Sequence, residues 1–457
     1  MRKLAVNSFN SLYSTLFNFS ILLILLLGFP FSSIAESIGC DDDYVQLDNN
    51  ALVINVATTG VDDTTNIQCA LDVAASDGYP IVRLGAGTYF ISGLIVENFK
   101  GTLEGKSKTS TIVEVPYRTV DCDAAMEDIG LTSAVIKFVK GEPRIRYMTI
   151  RVNRPCSGFQ PIQSILHFTG ESSQADNCDN DVIFGAVDRV ILEATDISTS
   201  RSWVGSGILV SAEGNQLGGC KDTLLGTFKL NRSTISNIAN SLKTTMKAGA
   251  QVDINFNEFF SNTSPTSSLE SNKAIWLPDT NQNTTITANK FNGVARTGDT
   301  WGYHYWGVYL DTFSMDAPAV TRLVIHNNQF DLTSTPDASA RAISLDQSGR
   351  IANVSSIVTG NTFTLSGSRS FGIIAYSVSN THVSANRFTG EGHTAISVTG
   401  TSTVTGWTVT ANKGLATFNS MSEADISFSS STSRCIVGPG QGAEVSDQGT
   451  DNTVLPQ

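Results

Sequence analysis

The segments INFNEF (Ile254 to Phe259), ITANKF (Ile286 to Phe291) and IHNNQF (Ile325 to Phe330) share one motif, an apolar, strand-like stretch that ends in Asn-x-Phe. The motif returns as VTGNTF, VSANRF and VTANKG, and the full series of motif asparagines is Asn257, Asn289, Asn328, Asn361, Asn386 and Asn412. Successive asparagines are 32, 39, 33, 25 and 26 residues apart. This elastic period indicates stacked coils that keep their strands and vary their loops, and it disfavours helical repeats, which need a near-constant length.

A second strand follows most copies of the motif. It reads KAIWLPD (Lys273 to Asp279), WGVYLDT (Trp306 to Thr312), RAISLDQ (Arg341 to Gln347), FGIIAYS (Phe371 to Ser377) and TAISVTG (Thr394 to Gly400). Alternation at period two predicts strands, with Ile275 and Leu277 pointing inward and Trp276 outward. Weaker upstream copies complete about nine coils. The predicted fold is all-β, a right-handed parallel β-helix in which the motif asparagines form a side-chain ladder and the phenylalanines stack in the core.

Composition supports a single elongated domain. The chain has 38 glycines and only 16% charged residues, and no composition break or linker divides residues 140 to 420. We predict a signal peptide over residues 1–35 and one β-helix domain over residues 36–437, with an N-terminal cap at about 60–80. Residues 438–457 are rich in Gly, Pro and polar residues without a strand period, which predicts a flexible tail.

The N-terminus has the pattern of a secretory signal. Arg2 and Lys3 precede an apolar stretch from Leu16 to Phe31, and Ser33-Ile34-Ala35 forms a small-residue cleavage site. We therefore expect a protein that is secreted, or placed at the cell surface or in the periplasm, with no membrane association after cleavage. The alternatives are an uncleaved anchor and a lipid on Cys40, although Ser37 stands where a lipidation signal usually has an aliphatic residue.

Export favours disulfides for the seven cysteines, because the chain has no CxxC pair with zinc-ligand spacing. The odd count leaves one thiol over, and Cys435 is the predicted free one because it lies far from the other six. Without residues 1–35 the formal charge changes from −12 to 28 − 42 = −14. Such an acidic chain does not suit nonspecific binding to nucleic acid or anionic membrane.

The segment between signal and repeats begins GVDDTTNIQCALDVAASDG, from Gly60 to Gly78. It predicts a helix that begins at Asp63 or Thr64 and ends at Gly78. This helix would close the open end of the β-helix. This segment and the residues after it contain five sequence elements in a fixed order, at Gly60 to Thr64, Ile67 to Leu71, Gly87 to Tyr89, Gly105 and Thr111-Ile112. This pattern resembles the N-terminal region of the pectate lyase superfamily of pectin-lyase-like β-helix proteins. The resemblance implies the parallel β-helix fold along nearly the whole mature chain.

The resemblance does not extend to catalytic motifs. Polygalacturonase-like members carry Asn-Thr-Asp, Asp-Asp, Gly-His-Gly and Arg-Ile-Lys elements. Here Asp62-Asp63 belongs to the cap, Gly392-His393-Thr394 lacks the second glycine, and Arg-Ile-Lys is absent from the sequence. The DPHD element of secreted alginate epimerases is absent too. No catalytic residue is therefore carried over from the superfamily.

A candidate site follows from the predicted register instead. Parallel strands stack equivalent residues about 4.8 Å apart, so outward positions form columns. The first predicted column is Leu209, Lys243, Trp276, Tyr309, Ser344, Ile374 and Ser397, and the second is Ser211, Thr245, Pro278, Asp311, Asp346, Tyr376 and Thr399. Asp311 and Asp346 then become neighbours. Because like charges repel, one of them should hold its proton to higher pH, which supplies an acid and a base for glycoside hydrolysis.

Asp311 and Asp346 are the predicted catalytic residues. Aromatic and polar residues on or before the same strands are the predicted substrate-binding set: Lys243, Lys273, Trp276, Asp279, His304, Trp306, Tyr309, Arg341, Ser344 and Tyr376. Flat rings on an exposed strand face suit the apolar faces of sugars. The loop from Phe291 to Tyr305 is predicted to wall this face. The alternative interpretation is that the aspartates only bound turns and that the aromatics only cover strands.

Three functions remain open on this basis. The first is a polysaccharide hydrolase that uses Asp311 and Asp346. The second is a polysaccharide lyase acting on a uronate polymer, in which Lys243, Lys273 or Arg341 neutralises the carboxylate or takes the C5 proton, and Tyr309 or His304 is the acid. The third is a noncatalytic, glycan-binding surface protein. No cofactor is expected, except calcium for a lyase; Asp176, Asp179 and Asp181 lack a calcium-ligand register and are interpreted as a solvated loop.

Overall fold

The computed structural model describes residues 39–116, 134–153, 162–170, 182–194, 204–211, 224–261, 272–278, 282–295, 304–311, 321–346, 354–401, 403–420 and 424–457. Within these residues the chain forms three long sheets, and neighbouring strands are parallel except for the first antiparallel pair, Val45–Asp48 with Val53–Val56. The chain visits the three sheets in turn on successive coils. The predicted right-handed parallel β-helix is confirmed.

The first sheet has fifteen strands: Val45–Asp48, Val53–Val56, Ile81–Leu84, Thr102–Gly105, Arg144–Arg146, Val182–Asp188, Leu225–Asn231, Gln251–Asn255, Asn283–Thr287, Thr321–His326, Val354–Thr359, Thr381–Ser384, Thr408–Thr410, Ile436–Val437 and Thr453–Val454. The second has eleven: Gly87–Phe90, Thr111–Val115, Thr149–Val152, Ile191–Ala194, Thr234–Ser236, Glu258–Ser261, Lys290–Val294, Gln329–Thr333, Thr362–Ser366, Arg387–Gly392 and Asn419–Ser420.

The third sheet has twelve strands: Leu94–Glu97, Ala134–Val139, Ile162–Thr169, Val204–Val210, Asn240–Thr244, Asn272–Pro278, Tyr305–Asp311, Ala340–Asp346, Ser370–Tyr376, Thr394–Thr399, Ile426–Phe428 and Val445–Asp447. A short pair, Val404–Thr405 with Thr432–Ser433, and a 3₁₀ turn at Leu415–Thr417 lie near the C-terminal end. The candidate site residues that the structure describes lie on the third sheet or at the starts of its strands.

The predicted asparagine ladder is present. Asn257 donates through its backbone N and its Nδ2 to Oδ1 of Asn289, at 2.8 and 2.9 Å. The same two bonds, at 2.9 to 3.2 Å, link each later member of the series Asn289, Asn328, Asn361, Asn386, Asn412 and Gln441 to the next. The ladder runs along the helix axis, as the repeat alignment requires.

The residue before each ladder asparagine has a left-handed backbone, which turns the chain between the first and second sheets. These residues are Phe256 (φ 59°), Ala288 (55°), Asn327 (54°), Gly360 (67°), Ala385 (55°) and Ala411 (54°). Only one of them is a glycine, although a left-handed backbone strains other residues. The buried hydrogen bonds of the ladder asparagines hold these turns in place.

Phenylalanines stack in the core beside the ladder, as predicted. Ring centroids are 5.0, 4.5, 5.1 and 4.7 Å apart along the series Phe259, Phe291, Phe330, Phe363 and Phe388. A second stack, which the repeat motif did not indicate, contains Phe99, Phe138, Phe168 and Phe228. One continuous apolar core therefore follows the axis.

The predicted cap is the α-helix Thr64–Asp77, which begins after Asp63 and ends at Gly78 in the left-handed conformation. Ile67, Leu71 and Ala74 face the core, as expected. The fully buried Asp63 carboxylate accepts from the backbone N of Thr59 (2.6 Å) and of Phe90 (3.0 Å), so it ties the cap to the first coil.

The helix also satisfies a strand edge. The Gln68 side chain donates from Nε2 to the Ile95 carbonyl (2.7 Å) and accepts at Oε1 from the Ile95 N–H (3.1 Å). Ile95 lies in the first strand of the third sheet, whose outer edge would otherwise lack a partner.

Residues 438–457 correct the prediction of a flexible tail. They form the strands Val445–Asp447 and Thr453–Val454, which pair with the preceding coil. Gln441 ends the asparagine ladder, and its backbone N donates to Oε1 of Gln457 at 3.3 Å. Strands of two or three residues are too short to show a period, and a glutamine in place of asparagine hides the motif.

The described cysteines agree with an export pattern. Cys40 and Cys69 form a disulfide that joins the N-terminal segment to the cap helix, and the buried Cys435 is free, as predicted. The Cys40 sulfur is thus not available for a lipid. The other four cysteines, the signal peptide and Asp176, Asp179 and Asp181 lie outside the described residues. Across the described part of the chain, the helices found are too short or too polar to cross a membrane.

Candidate functional site

The predicted columns are present on the outer face of the third sheet. Lys243, Trp276, Tyr309 and Ser344 are register partners on four successive strands, followed by Ile374 and Ser397. The neighbours Ile275 and Leu277 are buried in the core, so the inward and outward assignment is confirmed. Upstream, the column continues through Leu209 and His167 to Lys137, further than the sequence repeats indicated.

The second column lies near the C-terminal ends of the same strands. Pro278, Asp311, Asp346 and Tyr376 are register partners in that order, and Thr399 follows. The two carboxylates therefore stand on adjacent strands, which lie about 4.8 Å apart in parallel sheets. Asp311 is only 4% exposed. Asp279, Trp301, Tyr303 and most of the loop predicted to wall this face lie outside the described residues.

A third column lies near the N-terminal ends of these strands and also carries basic residues. Lys273, Trp306, Arg341 and Phe371 are register partners on successive coils. The face is thus polarised along the strands, with cations where the strands begin and carboxylates where they end. Aromatic rings lie between the two.

Aromatic rings and cations are in direct contact on this face. The Lys273 Nζ lies 4.5 Å from the Trp276 ring centroid and 5.1 Å from that of Trp306, and the Lys243 Nζ lies 4.3 Å from the Trp276 ring. The Trp306 and Tyr309 rings approach to 4.1 Å. Cation–π contacts hold each ring in place, so the rings form a fixed platform.

Several N–H donors on the platform are buried and unsatisfied. Within the part of the chain that the structure describes, Nε1 of Trp276, Nε1 of Trp306 and Nε of Arg341 have no hydrogen-bond partner. A buried donor without a partner is costly, and a group of them on one face indicates a place where water or a ligand supplies acceptors. A ligand rich in hydroxyl or carboxylate oxygens fits this donor set.

Tyr309 connects the platform to the carboxylates. Burial raises the pKa of its phenol well above the ordinary value, and the charges of Asp311 and Asp346 and a hydrogen bond to Asp311 raise it further. The phenol therefore stays protonated and donates to the Asp311 carboxylate.

His304 lies directly before the strand Tyr305–Asp311. Its Nδ1 accepts from the Ser339 backbone N at 3.0 Å, so the imidazole proton is on Nε2. Burial lowers the pKa of His304, and the positive charges of Arg341 and Arg369 lower it further, which keeps the ring neutral. Burial also lowers the pKa of the Arg341 guanidinium, although Tyr309 and Asp346 act in the opposite direction.

The described residues contain no group of three or more His, Cys, Asp or Glu side chains that could hold a metal ion. Sequence reasoning missed Ser339, Arg369 and His393, which lie just before strands of the third sheet. The sequence signal that could have found them is their position, because each is the last residue before a strand with alternating apolar residues.

Comparison with solved structures identifies the class of fold. The Dettilon tailspike protein superposes with a TM-score of 0.52 at 15% identity, over 88% of this chain and 68% of that chain. The surface adhesin PfbA of Streptococcus pneumoniae gives a TM-score of 0.45 at 13% identity, over 80% and 88%. The mannuronan C-5 epimerase AlgE6 A-module of Azotobacter vinelandii gives 0.40 at 12%, over 87% and 96%.

At 15% identity, the likeness to the Dettilon tailspike protein concerns the fold alone. No protein-family model and no curated protein matches the sequence. The protein's parallel sheets make it a parallel β-helix protein. Its function has to be inferred from the residues of its own site.

Proposed function

We propose that this chain is a secreted or surface-exposed carbohydrate-active β-helix protein that cleaves a polysaccharide by glycoside hydrolysis. The observation that carries the proposal is the register pairing of Asp311 with Asp346 beside a platform of Trp276, Trp306 and Tyr309. Two carboxylates on one face supply the acid and the base or nucleophile that glycoside hydrolysis needs. The platform supplies stacking surfaces for sugar rings.

The surroundings of the two carboxylates suggest their roles. Tyr309 donates to Asp311, and a hydrogen bond of this kind favours the ionised carboxylate that a nucleophile requires. Its register partner Asp346 is the other member of the proposed catalytic pair.

Support for polysaccharide as the partner comes from the unsatisfied donors of Trp276, Trp306 and Arg341, which hydroxyl groups of a glycan would satisfy. Lys243, Lys273, His304 and Ser344 extend the polar lining of the same face. Location outside the cell is consistent with the signal pattern and with the disulfide Cys40–Cys69.

A second candidate, a polysaccharide lyase, is favoured by one observation. Lys273 and Arg341 stand in one column beside the Tyr309 phenol, which remains protonated as an acid. In this reaction Lys273 and Lys243 would neutralise the substrate carboxylate, and calcium would be the ion to add.

One experiment separates the candidates. Purified protein lacking residues 1–35 is incubated with neutral and uronate polysaccharides, with calcium or with chelator, and reducing ends and ultraviolet-absorbing unsaturated products are both followed. Hydrolysis gives reducing ends alone, and elimination gives both. Retention of a glycan without any new ends would instead establish a noncatalytic binding protein and overturn both reactions.

A further inference from the structure

A second group of basic side chains lies where the strands of the third sheet begin. His304, Ser339 and Arg369 occupy equivalent positions on three successive coils, each one residue before a strand. Backbone bonds fix the alignment: the residue after His304 donates to the Ser339 carbonyl (3.0 Å), and the residue after Ser339 donates to the Arg369 carbonyl (3.1 Å). We call His304, Ser339, Arg341, Arg369 and His393 the strand-start cluster.

Side-chain contacts hold the cluster together. The Ser339 backbone N and Oγ lie 3.0 and 2.9 Å from Nδ1 of His304, which leaves Nε2 as the donor of that ring. Phe371 links the other members, because His393 stacks on its ring at 4.7 Å and the Arg341 guanidinium lies 5.9 Å from its centroid. Arg369 is anchored through Nη1 to the Pro336 carbonyl at 3.2 Å.

The charges of the cluster are of one sign. The positive charge of Arg369 lowers the pKa of His304, of His393 and of Arg341, in each case after the larger effect of burial. Arg341 and Arg369 thus repel each other across neighbouring coils. An anion between them would remove this repulsion.

Ion pairing differs among the arginines of the described residues. Arg83, Arg146, Arg151, Arg189 and Arg232 each form an ion pair with an Asp or Glu carboxylate. Among the described residues, no such ion pair is formed by Arg341 or Arg369, and Nε of Arg341 has no hydrogen-bond partner although it is buried. The cluster therefore combines two arginines that form no ion pair within the described part of the chain with an unsatisfied donor.

We propose that the strand-start cluster binds a sulfate ester carried by the polysaccharide. This inference rests on the proposed function in taking a polysaccharide as the ligand. The cluster presents side chains from successive coils, which suits a tetrahedral group with three free oxygens, whereas a planar carboxylate is satisfied by a single bidentate arginine. The chain as a whole carries a charge of −12, which repels an anion. Attraction to the sulfate therefore has to come from the nearby side chains of the cluster.

Binding of sulfated polysaccharides tests the proposal independently of cleavage. Carrageenan, fucoidan and chondroitin sulfate are titrated against wild type, each beside its chemically desulfated form, with polygalacturonate and alginate as unsulfated uronate polymers. The exposed Arg369 is replaced in Arg369→Gln, and the control is Arg387→Gln, which removes the same charge from an exposed position on the second sheet. Circular dichroism and thermal melts verify folding of both variants.

We expect at least one sulfated polymer to bind about tenfold more tightly than its desulfated form, as a charge-assisted contact allows. Arg369→Gln should lose most of that preference and Arg387→Gln should keep it. Equal binding of sulfated and desulfated polymers, or equal losses in the two variants, would overturn the sulfate site. Arg369-dependent binding of polygalacturonate or alginate without a preference for sulfate would overturn it in favour of a carboxylate.

The two proposals fail in different ways. Sulfate-dependent binding without cleavage of any polymer would leave the strand-start cluster as proposed and contradict the hydrolase. Cleavage of an unsulfated polymer at the same rate by wild type and Arg369→Gln, with no preference for sulfate in binding, would do the opposite.

Discussion

At the residue scale, Asp311 and Asp346 are register partners that meet different surroundings. Asp311 is 4% exposed and receives the Tyr309 hydrogen bond, whereas Asp346 lies at a half-buried position beside Tyr376. A hydrogen bond to one carboxylate of a pair favours its ionised form, which is the form that a nucleophile requires. The assignment of roles therefore depends on single side chains rather than on the fold, which supports many unrelated activities.

Asp311→Asn and Asp346→Asn should each reduce polysaccharide turnover by about 10²-fold or more, since the amide keeps the shape and removes the titratable group. Release of reducing ends measures the loss, and circular dichroism verifies the fold. The matched control is Asp331→Asn, at an exposed position on the second sheet, which should keep wild-type turnover. If both site variants are as active as wild type, the hydrolase proposal is wrong, and Lys243, Lys273 and Arg341 are the residues to replace next.

Trp276→Ala should weaken substrate binding rather than chemistry. The ring contacts the ammonium groups of Lys243 and Lys273, and its loss removes a stacking surface that serves ground state and transition state alike. We expect KM to rise about tenfold, which is 1.4 kcal/mol, with kcat little changed. Phe256→Ala, which removes an aromatic ring exposed elsewhere on the surface, should leave KM unchanged. A fall in kcat with constant KM would contradict this role.

His167 makes stability depend on pH. Burial, and then the charge of Lys137, lowers its pKa from 6.5 to about 3. Because the unfolded chain takes up the proton near 6.5 and the folded protein only near 3, stability is fully present above pH 6.5 and is lost as the pH falls toward 3. Between pH 7 and pH 4 this residue should cost about 3 kcal/mol of unfolding free energy.

Denaturant melts of wild type and His167→Gln at several pH values measure that contribution of His167. The variant should lose much of the decline in stability at acidic pH, and His382→Gln, at an exposed position on the first sheet, should decline as wild type does. Parallel curves for wild type and His167→Gln would show that His167 is not the group responsible.

At the scale of elements, the asparagine ladder sets the cost of a single substitution. Asn328 accepts two bonds from Asn289 and donates from its N and Nδ2 to Asn361 and from Nδ2 to the Ile286 carbonyl. Asn328→Ala leaves several buried partners unsatisfied, so we expect a loss of about 3 kcal/mol or more. Thermal melts should show little change for Gln329→Ala, the exposed neighbour. Equal stability of the two variants would mean that the ladder is not a major source of stability.

The same elements show what sequence reasoning can reach. The register of Asp311 with Asp346 was predictable because two inward apolar residues and an Asn-x-Phe motif fix the phase of each coil. The strand-start cluster has the same spacing, since His304 and Ser339 are 35 residues apart, as are Asp311 and Asp346. It was not identified as a group because it lies just before the strands, outside the alternating apolar pattern that marked the columns. Backbone hydrogen bonds between coils show that these residues stack.

At the scale of the whole molecule, stability is distributed along an axis, since each coil contacts only its neighbours. The ends are then the weak points, and this protein protects its N-terminal end with the helix Thr64–Asp77. The Gln68 side chain pairs with the edge strand at Ile95, and the disulfide Cys40–Cys69 ties the helix to the segment before it. Opening should therefore start at this end when the disulfide is removed.

A Cys40→Ser, Cys69→Ser double variant should lose about 3–4 kcal/mol of local stability. This is the value expected for a disulfide that closes a loop with a sequence separation of 29. Hydrogen exchange measures it: amides of Thr64–Asp77 and of the strand Leu94–Glu97 should exchange faster, while the strand Asn283–Thr287 near the centre keeps its protection. Cys435→Ser, at the free thiol near the other end, is the control and should leave the helix amides unchanged. Uniformly faster exchange in helix and central coils would instead show that the β-helix unfolds as one cooperative unit, and that the cap does not act as a separate closure.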